Sequence, residues 1–336
     1  MRGYELETKS GLKLSCIELG AAVTGLQLPD GNGQLVDVVL GYPDLDGYLQ
    51  GRAYHGAVVG RHANRISRGH FRLPDAAVQL DCNEGDNHLH GGPAGFSQRV
   101  WQGHLVSDNC VAFKLCSEDG DQGYPGQLDV SVSYTLLSPL CVQVDINAST
   151  DRTTIVNLTQ HSCFNLAGHD SGSIADHTLQ LSANRFLPVD PELLPLGTLE
   201  SVDNGPFDLR KPRRLGECLQ SDAPQVLMAG GLDHSWVLDG ELDGPSAVLH
   251  HPSSGRTLSM YTDQPVLQVY TGNHLASDVA GKGGAVYANH GGVCLEAQGY
   301  PNAPNVPQFS QARLEPGETY QRRIQWAFDM NVPANY

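Results

Sequence analysis

From Leu128 to Leu137 the chain reads LDVSVSYTLL, with an apolar residue at every second position and a polar one between. Side chains alternate across a β-strand with a period of two, whereas a helix repeats every 3.6 residues, so this run reads as a half-buried antiparallel strand. Similar runs recur from end to end: LVDVVLGY (35–42), FRLPDAAVQL (71–80), CVAFKLCS (110–117), LCVQVDINAS (140–149), PVLQVYTG (265–272) and RRIQWAF (322–328). Turn-forming clusters separate them, among them PDGNGQ, EDGDQGYPGQ, HDSGS, LDGELDGP and HPSSGR. Amphipathic helical periodicity persists nowhere beyond a turn or two, and no linker, biased segment or fixed-period repeat divides the chain. The expectation is an all-β protein with one domain over residues 1–336, built as a large antiparallel β-sandwich.

Charge and motifs narrow the function. The 37 acidic residues against 21 basic ones give a formal net charge of −16, a field that repels nucleic acid and anionic membranes. The densest basic cluster, Arg210, Lys211, Arg213 and Arg214, is broken by Pro212 and reads as a solvated turn. No apolar run approaches the roughly 18 residues of a membrane helix. MRGYELETKSGLKLS carries no leader-like stretch, so a cytoplasmic protein is expected. The eight cysteines include no C-x-x-C pair. They read as reduced, partly buried small hydrophobes rather than a disulfide framework, and the sequons at Asn147 and Asn157 are expected to be silent. No P-loop, dinucleotide-binding glycine motif, H-E-x-x-H or G-x-S-x-G is present. His88-Leu89-His90 would put two imidazoles on one side of a strand. No third ligand follows closely and Gly91-Gly92 ends the strand, so no metal site is expected.

Three strand-like stretches place polar groups on the side away from their most apolar residues. In TIVNLTQHSCFNLAG, Val156, Leu158, Phe164 and Leu166 share a face and His161 lies on the other, with Asn157, Thr159, Cys163 and Asn165. In GGVCLEAQG, Glu296 sits with Cys294 and Gln298 against Val293, Leu295 and Ala297; in PVLQVYTGN, Gln268 sits between Val266 and Tyr270. Alternation alone reads these as solvated outer faces. The neighbouring Asn, Gln, Cys and Tyr, in place of Lys and Glu, fit a lined cleft better.

Taken together, GRHANRI (60–66), NHLHGG (87–92), DGDQGYPG (119–126), NLTQHSCFNLAG (157–168), PFDLRKP (206–212), GLDHSWVL (231–238), LQVYTGN (267–273) and GGVCLEAQGYPNAPN (291–305) resemble the aldose 1-epimerase (galactose mutarotase) family, in the family's order. The resemblance implies a supersandwich fold with a sugar cleft along one sheet. It also implies a cofactor-free isomerase interconverting the anomers of free hexoses such as galactose and glucose, acting as a monomer or homodimer. His161 matches the family's general acid and Glu296 its general base. His90 and Arg65 match groups that bind sugar and steady charge, Asp233 and Gln268 match groups that hold ring hydroxyls, and Asn64 matches a further contact. Cys163 replaces a common tyrosine, Ser235-Trp236 a usual Asn-Phe, and Ala297 a frequent threonine. Asp233 and Glu296 are expected to raise the His161 pKa, and Arg65 to keep Glu296 ionised. Three alternatives stand beside this reading. They are a non-catalytic carbohydrate-binding protein, an H-x-H metalloenzyme, and a sugar-phosphate 1-epimerase drawing charge from Arg52, Arg61 or Arg68.

Overall fold

The computed structural model describes residues 1–30, 33–240, 244–277 and 279–330. Its largest sheet has nine antiparallel strands. In spatial order they are Gln102–Ser107, Cys110–Ser117, Leu128–Leu137, Cys141–Thr150, Tyr320–Asp329, Arg256–Thr262, Ala247–His251, Thr178–Leu181 and Arg213–Arg214. The LDVSVSYTLL strand lies between two partners, with Val132 facing Phe113 on one side and Ile146 on the other. Its apolar positions are buried and its serines half-buried, as a sheet with one wet face requires.

A second sheet of six strands packs against the first. Its order is Cys163–Phe164, Val293–Gln298, Val266–Tyr270, Asp233–Val237, Arg185–Leu187 and Glu200–Ser201. Phe164, Val293, Leu295, Leu267, Val269 and Trp236 meet Val132, Tyr134, Ile146, Met260 and Trp326 in one continuous core. Phe164 packs edge-on against Trp326 at 5.4 Å, which ties the layers together. Fully burying side chains of this size contributes about 1.5–3 kcal/mol each. A smaller sheet of Gly3–Glu7, Lys13–Ile17, Val23–Pro29 and Leu35–Asp37 adjoins the six-stranded one through a bridge from Val39 to Phe164. The α-helices among the described residues are single turns or little more: Leu45–Gln50, Leu215–Leu219 and Pro224–Ala229.

Two strand expectations change. FRLPDAAVQL is a hairpin, His70–Leu73 against Ala76–Gln79, because Pro74-Asp75 turns the chain. TIVNLTQHSCFNLAG is not one strand but three short ones with three different partners. Thr154–Ile155 joins Arg313–Leu314, Thr159–Gln160 joins Val58–Val59, and Cys163–Phe164 joins Val293 and Cys294. Alternation records which side a residue faces and carries no sign of a change of partner.

Arg61, in GRHANRI, serves the fold. Its buried guanidinium donates to Ser117 O (3.0 Å), Ser117 Oγ (2.7 Å), Pro125 O (3.0 Å) and Gly126 O (2.8 Å), holding the DGDQGYPG turn against the sheet. That cation is therefore spent inside the protein and does not supply the charge that the sugar-phosphate alternative could draw from it. Arg61→Ala leaves several buried carbonyls unpaired and is expected to cost about 3 kcal/mol of stability. Urea unfolding at neutral pH checks this; a cost near zero would mean that other donors replace the guanidinium.

Candidate active site

The outer face of the six-stranded sheet is not solvated. Its register places Ser235, Gln268 and Glu296 in one cross-strand row, and Asp233, Tyr270, Cys294 and Cys163 in the next. Ser235, Gln268 and Glu296 are all buried, while Asp233 is half-buried at its strand end. The row is wired together: the Ser235 hydroxyl donates to Gln268 Oε1, and Gln268 Nε2 donates to Asp233 Oδ1 at 2.6 Å. These bonds fix which way the Gln268 amide points.

Loops from outside the sheet cover this face and bring the remaining groups. His161 follows the Thr159–Gln160 strand, its N–H bonded to Ala57 O and its carbonyl accepting from Gly56 N–H. Its Nε2 lies 3.6 Å from Glu296 Oε1. His161 Nδ1 and Glu296 Oε2 find no hydrogen-bond partner among the described residues. The His90 ring packs edge-on against His161 at 5.3 Å. Asn64 and His90 grip each other, since Asn64 N–H donates to His90 Nδ1 (3.1 Å) and His90 N–H donates to Asn64 O (3.2 Å). The Asn64 side chain accepts from Arg65 N–H, so this residue acts first on its neighbours. Gly91 makes the turn possible. Its φ is +90°, and a Cβ there would lie 1.7 Å from the Gly60 carbonyl oxygen.

Two residues of the site went unrecognised in the sequence. Glu84 accepts both Arg65 Nε (2.6 Å) and Nη2 (2.7 Å), a bidentate pair that fixes the guanidinium plane. Tyr54 packs against His90 at 4.8 Å and His161 at 5.7 Å. Glu84 lies in DCNEGD among other acids and Tyr54 lies in no periodic run, so neither carries a signal in the sequence. Tyr54, Asn64 and His90 all hold positive φ, between 51° and 64°, a backbone strain that the contacts around them must hold in place.

Electrostatics reverse two expectations, a raised His161 pKa and a Glu296 kept ionised by Arg65. Burial pushes His161 down to about 4, only partly opposed by its own backbone carbonyl. Burial also pushes Glu296 up to about 8; the charge of Asp233 adds to this and that of Arg65 opposes it. Glu296 does not raise His161, because each group in this dry site resists its own charge more strongly than it supports its neighbour's. At neutral pH the pair therefore shares a single proton, resting on the carboxyl. For Arg65, burial opposes the charge, but Asp233, Glu84 and Glu296 outweigh it and raise its pKa. Asp233 is raised by burial, against the pull of Arg65 and the Gln268 hydrogen bond.

His90, His161 and Glu296 offer ligand atoms within 4.8 Å of one another, close enough to raise the question of an ion. The tautomer of His90 answers it. Because Nδ1 accepts the Asn64 N–H, neutral His90 carries its proton on Nε2 and is a donor there. A metal-binding histidine needs a lone pair on one nitrogen and donates through the other, the opposite arrangement. His88 does not join it, since its ring binds Asp81 O (2.6 Å) and the Tyr124 hydroxyl (2.7 Å). A groove of about 480 Å³ on the four-stranded sheet, lined by Asp37, Tyr42, Tyr48 and Lys282, shares no residue with this cluster.

Comparison with known proteins places these observations in a family. The family model described as aldose 1-epimerase matches residues 2–327. The chain is 45% identical to a galactose mutarotase of Bos taurus over 320 residues, covering 95% of this chain and 92% of that one. Among solved structures, the aldose epimerase homologue from C. elegans superposes with a TM-score of 0.92 at 30% identity, covering 98% of this chain and 99% of that chain. The galactose 1-epimerase from Lactobacillus acidophilus NCFM gives a TM-score of 0.85 at 31% identity, covering 97% and 94%.

Proposed function

The chain belongs to the aldose 1-epimerase family, and on that premise we propose that it interconverts the α and β anomers of free aldohexoses such as galactose and glucose, with Glu296 and His161 as its proton-transfer pair. The observation that carries this reading is the 3.6 Å approach of His161 to Glu296 on a closed, polar sheet face. Mutarotation needs a base at the C1 hydroxyl and an acid at the ring oxygen O5. The C1–O5 bond breaks, the open aldehyde turns about C1–C2, and the ring recloses with the proton roles exchanged. No hydride or group leaves, so the chemistry calls for neither a redox cofactor nor a metal.

The single proton shared by the pair is the inventory this reaction needs. The working form, Glu296 carboxylate with His161 imidazolium, has the same total charge as the resting form, so reaching it moves a proton without gaining or losing one. Sugar hydroxyls donating to Glu296 favour that shift, because hydrogen bonds to the charged form stabilise it. His90, a donor at Nε2, and Arg65 steady charge developing on the ring oxygen. Asp233 and the oriented Gln268 amide hold ring hydroxyls. The same reading gives a cytoplasmic monomer or homodimer that meets small sugars rather than nucleic acid or membranes. Its charge of −16 supports this, and among the described residues no helix is long and apolar enough to cross a membrane.

Polarimetry of freshly dissolved α-D-galactose, α-D-glucose, xylose and arabinose tests the proposal. Acceleration over buffer is expected for galactose and glucose; binding without acceleration would leave a carbohydrate-binding protein instead. The pH dependence of kcat/KM should be flat between about 4 and about 8 and fall on both sides. Below the plateau the pair holds two protons and lacks a base; above it the pair holds none and lacks an acid. These limits belong to the pair and not to either residue alone.

A further inference from the structure

Cys163 and Cys294 face each other across the sheet, beside the acid and the base. Their Cα atoms are register partners, and the type of pairing follows from the bonds on the far side of the strand. The Cys163 carbonyl accepts from Leu40 N–H (2.8 Å) and Asn165 N–H donates to Val38 O (2.9 Å). The backbone groups of 163 and 165 thus point away from the Val293–Gln298 strand, and those of Phe164 point toward it. Cys163 and Cys294 are therefore a non-hydrogen-bonded pair, the closer kind, with Cα atoms about 4.5 Å apart. That lies within the roughly 4.4–6.8 Å a disulfide spans.

The thiols are free and fully buried, and Leu40, Leu275 and Tyr287 cluster around them. Cys163 lies two residues after His161, and Cys294 lies two before Glu296. We propose that Cys163 and Cys294 form an oxidisable dithiol, which a small neutral peroxide converts to a disulfide joining the segment of the acid to the strand of the base. One thiol takes an oxygen from hydrogen peroxide and becomes a sulfenic acid, releasing water. The second sulfur then displaces the hydroxyl as another water. Two thiols and one peroxide give one disulfide and two waters.

Burial, with Glu296 and Asp233 nearby, holds the Cys294 thiol protonated. Oxidation is therefore slower than at the exposed Cys82 and Cys116. The usual Cα separation across a disulfide is about 5.5–6 Å against about 4.5 Å here, so closing the bond is expected to push the two strands about 1 Å apart, and a misplacement of about 1 Å costs about 10² in rate. This effect on rate rests on the proposed mutarotase activity; the disulfide does not.

The test uses the full chain with Cys82→Ser and Cys116→Ser, treated with hydrogen peroxide, alkylated and digested without reduction. Mass spectrometry should find a 163–294 linked peptide, and polarimetry a rate lowered about 10² and restored by dithiothreitol. Adding Cys163→Ser should preserve the starting rate and abolish both the link and the sensitivity; Cys294→Ser replaces it if that variant does not fold. Oxidation to sulfinic acid without a 163–294 link, or thiols that stay reduced, overturns the proposal; a link that leaves the rate unchanged upholds the dithiol and overturns its effect on rate. A link in a protein that accelerates no sugar upholds the dithiol and overturns the proposed function.

Discussion

Glu296→Gln is expected to lower kcat/KM for α-D-galactose by about 10² to 10⁴, the usual contribution of one correctly placed proton-transfer group. The substitution nearly preserves shape, and the amide can still hydrogen-bond the C1 hydroxyl, so sugar affinity should change far less than turnover. Stability moves the opposite way. A buried carboxyl raised to about 8 from its ordinary value near 4.5 holds a proton in the folded state that the unfolded chain has released. Native stability from this group therefore falls as pH rises across that window. His161, lowered to about 4, works in the other direction, adding stability as pH rises from about 4 to its unfolded value near 6.5. The two offset each other below pH 6.5, and Glu296 prevails above. Glu296→Gln should consequently melt higher than the wild type at pH 8, with the gap closing toward pH 5. Polarimetry and melting curves at the two pH values check both halves. A variant that turns over normally would falsify the role of Glu296, and one that melts lower at pH 8 would show that the carboxyl stabilises the fold.

The all-β architecture is legible in the sequence because a half-buried antiparallel strand writes its two faces into alternate residues. CVAFKLCS and LDVSVSYTLL match their strands end to end. The cross-strand row of Glu296, Gln268 and Ser235 is less visible, since alternation gives the face of each residue but not its register against another strand. Partner changes leave even less trace, which is why the segment around His161 reads as one strand yet folds as three. The identities of His161, Glu296, His90, Arg65, Asp233 and Gln268 came from motif resemblance, and folding brings all six into one neighbourhood. Glu84 and Tyr54 belong to that neighbourhood through contacts no local pattern encodes. The protonation of the pair is not legible in the sequence for a physical reason: a list of charges shows attraction between neighbours, while the desolvation that outweighs it depends on burial.

His161→Gln is expected to reduce kcat/KM by a comparable factor of about 10² to 10⁴, and its pH profile separates a chemical role from a packing one. Glutamine keeps an N–H donor near the position of Nε2 but cannot ionise, so Glu296 becomes the only titrating member of the pair. Burial and Asp233 still hold that carboxyl near 8, and its ionised form is the remaining base. The residual rate should therefore rise as pH passes through about 8, where the wild-type rate falls for want of an acid. If His161 merely filled space beside Tyr54 and His90, the variant would keep the wild-type plateau at a lower height. The decisive comparison is the slope of log kcat/KM above pH 8: upward for the variant and downward for the wild type if His161 is the acid, and downward for both if it is not.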